Sequence, residues 1–523
     1  MRRLGSALLL LLLAYASAAA QETPKASEPS TFLYLAYMSN ARVGYMKSTV
    51  ERFKDGESER IRTTDVQHLI IKRSWDKSTF EIGSRSEEIF DSDFRQISAK
   101  LSKTDGAQTL DCEYTFEEKR VAVVVSNGGK KTSLEVKHDG NILSDRQAFM
   151  QLKAQGKLKA GERFTFTRFD LSDMALEQST WMIQGEGTRK TRTGAKLTGM
   201  VIHLIEGGER SEALFDLEAN PLWIQSGGLI LVEKVDAIPE PFTVEDVPAL
   251  KTSMEANIVV PGKNENIERM EIHFRFPVDD GDGILPLIET NEYHDVVRYE
   301  KGKETGYAAR LRSRRLGADF KAPAYPLTQV DDTVKALLEP TPQCESHDDV
   351  LAKKAQELVK GAKDSRAAAE ALCRFVYRYL KKESGNSGSA TARQAFDEKK
   401  GDCTEHSALF VALARAAGLP ARNVSGVVYV SGGSEGFWGY HAWSEVWLGR
   451  WVPVDATVNE VGTSARYLFF QYDEPGESHG GGRTSRALVN NLSPWIDAYK
   501  LAGKEEVREE NARRYDFDKP ATK

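Results

Sequence analysis

Three residues in the C-terminal half of this 523-residue chain are of the types that perform covalent acyl chemistry. Cys403 lies in GDCTEHSALFVALARAAGLPAR (401–422), and His441 and Asp455 lie in GYHAWSEVWLGRWVPVDAT (439–457). A lone cysteine is most often a buried structural thiol. Given an imidazole to take its proton and a carboxylate to orient that imidazole, it is a nucleophile that attacks a carbonyl and holds the acyl group as a thioester. Metal ligation is a third reading, because Cys403 and His406 have Cys-x2-His spacing. A structural zinc takes about four ligands, and no second close Cys/His pair is present. The sequence therefore implies no metal and no cofactor, and His406 is expected on the surface or in a helix-capping role. Read together, the three residues favour catalysis.

The elements that must position them are legible in the pattern. Leu409, Ala412, Leu413 and Ala416 fall on one helical face. Asp402 and Glu405 have the spacing of a capping box, and Gly418 and Pro420 supply a stop. This predicts a helix over about 403–417 with Cys403 in its first turn. A helix N-terminus stabilises a thiolate and offers N–H donors to an oxyanion.

RNVSGVVYV (422–430), HAWSEVWL (441–448) and WVPVDAT (451–457) read as strands, the last two joined as a hairpin through Leu448-Gly449-Arg450. Val446 and Leu448 share one face, as do Val452, Val454 and Ala456. Burying both sets together requires paired residue numbers that sum to an even value. A two-residue turn would split the sets, whereas a three-residue loop or a bulge near Pro453 joins them. The even register sets 443 opposite 455, which makes His441 the diagonal neighbour of Asp455.

The Gly-Asp-Cys turn, the Ala-Arg-Ala-Ala-Gly-Leu-Pro-Ala-Arg helix end, the His-Ala-Trp triplet and the Val-Asp-Ala-Thr strand stand in the order of the transglutaminase-like superfamily, which residues 350–470 resemble. The resemblance implies a papain-like core, a catalytic helix on an antiparallel sheet, of a bacterial exported type. It implies Cys403 as nucleophile, His441 as base and Asp455 as orienting acid. The family often adds an oxyanion donor from a side chain upstream of the cysteine. Gln394 is a candidate by chemistry, and a surface helix residue is its plainer reading. VGYMKSTVERFKDG resembles the exported half-barrel β-domains that wrap a sheet around a helix.

The remainder of the chain frames this region. Net charge is −6, and no basic stripe points to nucleic acid. Arg2 and Arg3 precede an apolar run and then small residues, the order of a signal peptide over residues 1–20 with cleavage after Ala18 or Ala20. The run is too short to span a bilayer, so the expectation is an exported, periplasmic or extracellular protein with no membrane span. Alternating strands fill 31–237, interrupted by a helix near 143–155. The stretch 238–254, with Pro239, Pro241 and Pro248, reads as a linker. Further strands at 255–335 form a small β-rich segment, and DDGDG at 279–283 reads as a solvated turn. The catalytic domain occupies 345–500, with Ser365 as N-cap of its second helix, and 501–523 is a charged tail. The fold class is thus α+β and multidomain: antiparallel β-rich domains followed by a transglutaminase-like catalytic domain. Of the remaining cysteines, Cys112, Cys344 and Cys373, at most one pair can bridge, Cys344 with Cys373 being an option. The expected activity is acyl transfer or hydrolysis at amide bonds of a protein or peptide. The alternative is an exported binding or scaffold protein without catalysis, and lipid carriage by the β-domain is a third reading.

Overall fold

The computed structural model describes residues 29–517 apart from 74–78, 106–107, 128–129, 173, 207–208, 227–229, 248–252, 276–289, 302–303, 342, 384–390, 433 and 473–491. The expected signal segment and the DDGDG turn lie outside the described residues. The described chain is strand-rich and divides into two units, 29–247 and 253–517.

Period-two alternation and short Gly/Asn/Asp turns make the first unit an antiparallel meander. Consecutive strands run side by side from Ser30–Met38 to Lys130–Lys137. After the helix Asp145–Ala154, further strands run from Arg163–Asp170 to Ile230–Val235, and the last pairs with Ser30–Met38. Ser144 caps the helix by accepting the Gln147 N–H. Phe149 packs 5.7 Å from Phe215, and Asp145 meets Arg168 at 2.7 Å, so the helix is fixed to the sheet. Part of the expected linker also lies on this sheet. Asp246–Val247 pairs in parallel with Lys72 and Arg73, and Glu245 accepts the Arg42 N–H at 2.8 Å. A two-residue pairing among prolines leaves no periodicity to read.

In the second unit, apolar residues at three and four spacing produce α1 (Asp349–Leu358) and α2 (Ser365–Tyr379), followed by α3 (Ala392–Glu398) and α4 (Cys403–Ala416). Asp364, one residue before the predicted Ser365, is the N-cap of α2. Its carboxylate accepts the Ala367 N–H at 2.8 Å, and Ser365 is buried as the first helical residue. The antiparallel sheet that follows comprises β1 (Ala421–Gly432), β2 (Glu435–Trp447), β3 (Trp451–Asp455), β4 (Glu460–Val461) and β5 (Tyr467–Tyr472), in the order β4-β3-β2-β1-β5. Ser253–Glu255 adds to β2. Leu409 and Leu413 of α4 are buried with Leu351 of α1, Leu372 of α2, and Val446, Val452 and Val454 of the β2–β3 hairpin.

A second antiparallel sheet runs in the order His294–Lys301, Glu304–Arg312, Ile267–Arg275, Pro494–Leu501, Glu506–Arg508. Its central pair joins residues from before α1 and after β5. Phe274 and Ile496 of this sheet share a core with Trp438 and Leu468. The described part of the 255–335 stretch, expected to be separate, is therefore part of the second unit. The described part of the expected charged tail, 501–517, also belongs to it: Arg508 donates to Glu271 at 2.7 Å, and Phe517 is buried. No helix among the described residues is long and apolar enough to cross a membrane.

Candidate active site

The N-terminus of α4 is built by side chains reaching back on the turn before it. Glu405 Oε2 accepts the Asp402 N–H at 2.8 Å, and Asp402 Oδ1 accepts the Thr404 N–H at 3.0 Å, the predicted capping box. The Glu405 reach requires Gly401, because a Cβ there would lie 2.3 Å from the Glu405 Cβ. Cys403 follows as the first helical residue. It is half-buried, while Cys112, Cys344 and Cys373 are buried, and all four are free, so Cys344 and Cys373 are not bridged. Cys344 accepts the Asn423 amide at 3.2 Å. Burial, together with the neighbouring Asp455 charge, pushes the Cys373 thiol far above its ordinary range.

The β2–β3 hairpin has the register expected from its apolar faces. Ser444 pairs with Val454 and Val446 with Val452, and the strands connect through Leu448-Gly449-Arg450, where the Leu448 N–H donates to the Arg450 carbonyl at 2.9 Å. His441 and Asp455 consequently meet: His441 Nε2 lies 2.7 Å from Asp455 Oδ2. The Asp455 carboxylate is fully buried and has further donors. The Tyr467 hydroxyl donates to Oδ2 at 2.8 Å, and the Thr457 N–H and hydroxyl donate to Oδ1 at 2.9 and 2.5 Å. The other edge of the imidazole meets Cys403, whose side chain hydrogen-bonds it.

Charge follows from these contacts. Burial works to raise the Asp455 pKa, but the His441 charge and the bonds from His441, Thr457 and Tyr467 outweigh it and hold the carboxyl well below its usual range. For His441, burial disfavours the cation. The Asp455 charge and hydrogen bond outweigh that effect, Cys403 adds to them, and the imidazole is pushed up to about 10.

Trp443 stacks on His441 with centroids 6.2 Å apart and planes inclined by 20°. Its position is set by a buried chain: Trp443 Nε1 donates to the Tyr293 hydroxyl at 3.0 Å, Tyr293 donates to Glu445 at 2.9 Å, and Arg422 pairs with Glu445 at 2.7 Å. The Arg422 guanidinium lies between the rings of Tyr472 and Trp451. Gly426, opposite His441 on β1, is necessary here, since a Cβ would come within 2.8 Å of the Trp443 ring and 2.1 Å of the Leu468 carbonyl. Of the other aromatics near the motif, Trp438 packs against Tyr429 in the core, and Trp447 and Trp451 pair edge to face.

One sequence reading changes. His406 is fully buried, not on the surface; its Nδ1 bonds the Asp402 carbonyl at 2.7 Å, and burial lowers its pKa. Gln394 serves the capping box of α3, its Oε1 accepting the Thr391 N–H at 3.4 Å, in line with its plainer reading as a helix residue. Sequence reasoning missed Thr457, Tyr467 and Tyr293. Thr457 had a signal, an Asp-x-Thr turn at a strand end. Tyr467 and Tyr293 had none, because they arrive from distant strands.

Among solved structures, the chain is similar to a candidate cysteine protease from Cytophaga hutchinsonii (15% identity, covering 48% of this chain and 92% of that one, TM-score 0.28). It is also similar to a β-barrel-like protein of a domain of unknown function from Brucella abortus (10% identity, 40% and 98% coverage, TM-score 0.29). A candidate protease from Parabacteroides distasonis shares 9% identity over 72% of this chain and 68% of that one, with a TM-score of 0.19. At these scores the likenesses carry no argument about the site. No curated protein matches the chain. Residues 352–456, which run from α1 through α4 and the β2–β3 hairpin, match the transglutaminase-like superfamily.

Proposed function

We propose that the second unit is a thiol-dependent enzyme acting on amide bonds of a protein or peptide. The observation that carries this reading is the 2.7 Å pair of His441 Nε2 and Asp455 Oδ2, which leaves the opposite ring nitrogen for Cys403. In this reading His441 Nδ1 already holds the proton taken from Cys403, and the Sγ thiolate attacks the amide carbonyl carbon. The first-turn N–H groups of α4 stabilise the oxyanion. His441 then gives its proton to the leaving amine as the C–N bond breaks, and the acyl group stays on Sγ as a thioester. Water, deprotonated by His441, releases an acid; an amine acceptor instead forms a new amide. Asp455 fixes the ring orientation and stabilises the imidazolium.

Incubation with casein and the fluorescent amine monodansylcadaverine tests this reading. Cys403-dependent incorporation of the amine assigns transfer, and Cys403-dependent fragmentation or ammonia release assigns hydrolysis. Turnover that survives in Cys403→Ala rejects the mechanism. Export is part of the proposal, motivated by the Arg2-Arg3, apolar and small-residue order. N-terminal sequencing of exported material should begin near residue 19 or 21, and an intact Met1–Ala20 segment contradicts it.

A further inference from the structure

Strand alternation in the first unit collects polar side chains on one buried face. Ser48 comes from the strand Ala41–Asp55, Thr63 and Asp65 from Ser58–Arg73, and Ser86 and Glu88 from Thr79–Phe90. The register sets Asp65 between Ser48 and Ser86, and Thr63 opposite Glu88. Tyr34 on the neighbouring strand and Arg146 on the helix Asp145–Ala154 join them, since Tyr34 feels the charges of both Asp65 and Arg146. Each of these residues is buried. Farther across the same face the sheet is apolar, with Leu101, Cys112 and Val125 in register with Ser86. The polar character is therefore local.

Among the described residues, the hydroxyls of Tyr34, Thr63 and Ser86, and Nε and Nη1 of Arg146 are buried with no hydrogen-bond partner, and the buried Asp65 carboxylate has only the Ser48 hydroxyl beside it. Arg146 Nη2 donates to the Glu218 carbonyl at 2.8 Å, and Glu88 accepts from Gln96 at 2.7 Å. Folded proteins partner 90% or more of their buried backbone polar groups and the large majority of buried side-chain ones, and a buried unpaired carboxylate is costly. One such atom is ordinary. A set drawn from three strands and a helix, meeting on one face, marks groups that an occupant could complete. An alkyl chain would leave every one of them unpartnered, which argues against lipid carriage. Burial, with Ser48 opposing and Glu88 adding, raises the Asp65 carboxyl well above its ordinary range. A cation bound there would supply an opposite charge.

We propose that this face binds a small zwitterion of the amino-acid or short-peptide class, its ammonium group at Asp65 and its carboxylate toward Arg146, with the hydroxyls of Tyr34, Thr63 and Ser86 completing the contacts. The proposal does not depend on the thiol chemistry of the second unit.

Calorimetric titration of the full chain with L-alanine, L-lysine, L-glutamate and L-alanyl-L-alanine tests it. At least one should bind with one molecule per chain. Asp65→Asn and Arg146→Gln should each weaken that binding by about tenfold or more. Thr63→Val, which replaces a hydroxyl by a methyl, should weaken it a few-fold without changing the melting temperature. Absence of sub-millimolar binding for all four probes overturns the proposal, as does undiminished affinity in a folded Asp65→Asn protein. Should that variant not fold, undiminished affinity in Thr63→Val overturns it instead.

Discussion

His441 and Asp455 lie fourteen residues apart in sequence and 2.7 Å apart in space, because a three-residue loop places the two strands in an even register. Asp455 is held from the far side by Thr457 and Tyr467, so the carboxylate is fixed and orients the imidazole. In Asp455→Asn, His441 loses both orientation and charge stabilisation. We expect kcat/KM to fall by roughly two to four orders of magnitude with the fold retained, measured on whichever casein reaction is observed. An activity within a few-fold of wild type would remove Asp455 from the mechanism.

The same pair sets a pH dependence. With the imidazole pushed up to about 10, the cation needed to protonate the leaving amine persists to alkaline pH, and kcat/KM should fall as pH rises through that region. Asp455→Asn should move this limb down toward the ordinary histidine range near 6.5. Stability follows the same signs. The raised His441 pKa contributes fully below about 6.5 and is lost as pH rises through about 10. The depressed Asp455 pKa contributes above its ordinary value near 3.8 and is lost as pH falls through its lowered folded value. The melting-temperature gap between wild type and Asp455→Asn should therefore be widest near pH 5 to 6 and narrow toward both extremes.

Thiol reactivity should follow exposure. Cys403 is half-buried at a helix start, whereas the other three are buried, and burial raises the Cys112 and Cys373 thiols. Iodoacetamide at neutral pH should label Cys403 first in the native protein. Mass spectrometry that finds Cys112 or Cys373 labelled ahead of it contradicts this.

Gly401→Ala probes the helix start. The new Cβ would collide with Glu405 and open the capping box, so stability should drop by about 1 kcal/mol or more, and Cys403 alkylation should slow as the first turn frays. Unchanged stability would mean that Glu405 relaxes without cost.

Tyr293→Phe removes the hydroxyl that accepts from Trp443 and donates to Glu445. Trp443 Nε1 then lacks its acceptor and Glu445 keeps only Arg422, and denaturant unfolding should show a loss of about 1–3 kcal/mol. A neutral effect would show that the chain from Arg422 to Trp443 does not hold the ring against His441.

Local pattern carried much of this. The extent of α4, its capping box and the hairpin register are all encoded within short windows around Asp402, Glu405, Val446 and Val454. The Asp364 cap was displaced by one residue because Asp and Ser are both capping types. Non-local pairing was not legible: nothing near Ile267 announces Pro494–Leu501 as its partner, and nothing near Asp455 announces Tyr467. His406 was misplaced for a related reason, since α4 is covered on nearly every side by elements that its own periodicity does not reveal.

The central claim is a thioester on Cys403. Rapid quenching of the protein with a p-nitrophenyl ester of an N-acylated amino acid, followed by peptide mass spectrometry, measures it directly. The account predicts an acyl adduct on the peptide that carries Cys403, cleared by added hydroxylamine, absent in Cys403→Ala and strongly reduced in His441→Ala. An adduct of equal yield on another residue, or ester turnover at the wild-type rate in Cys403→Ala, would contradict it.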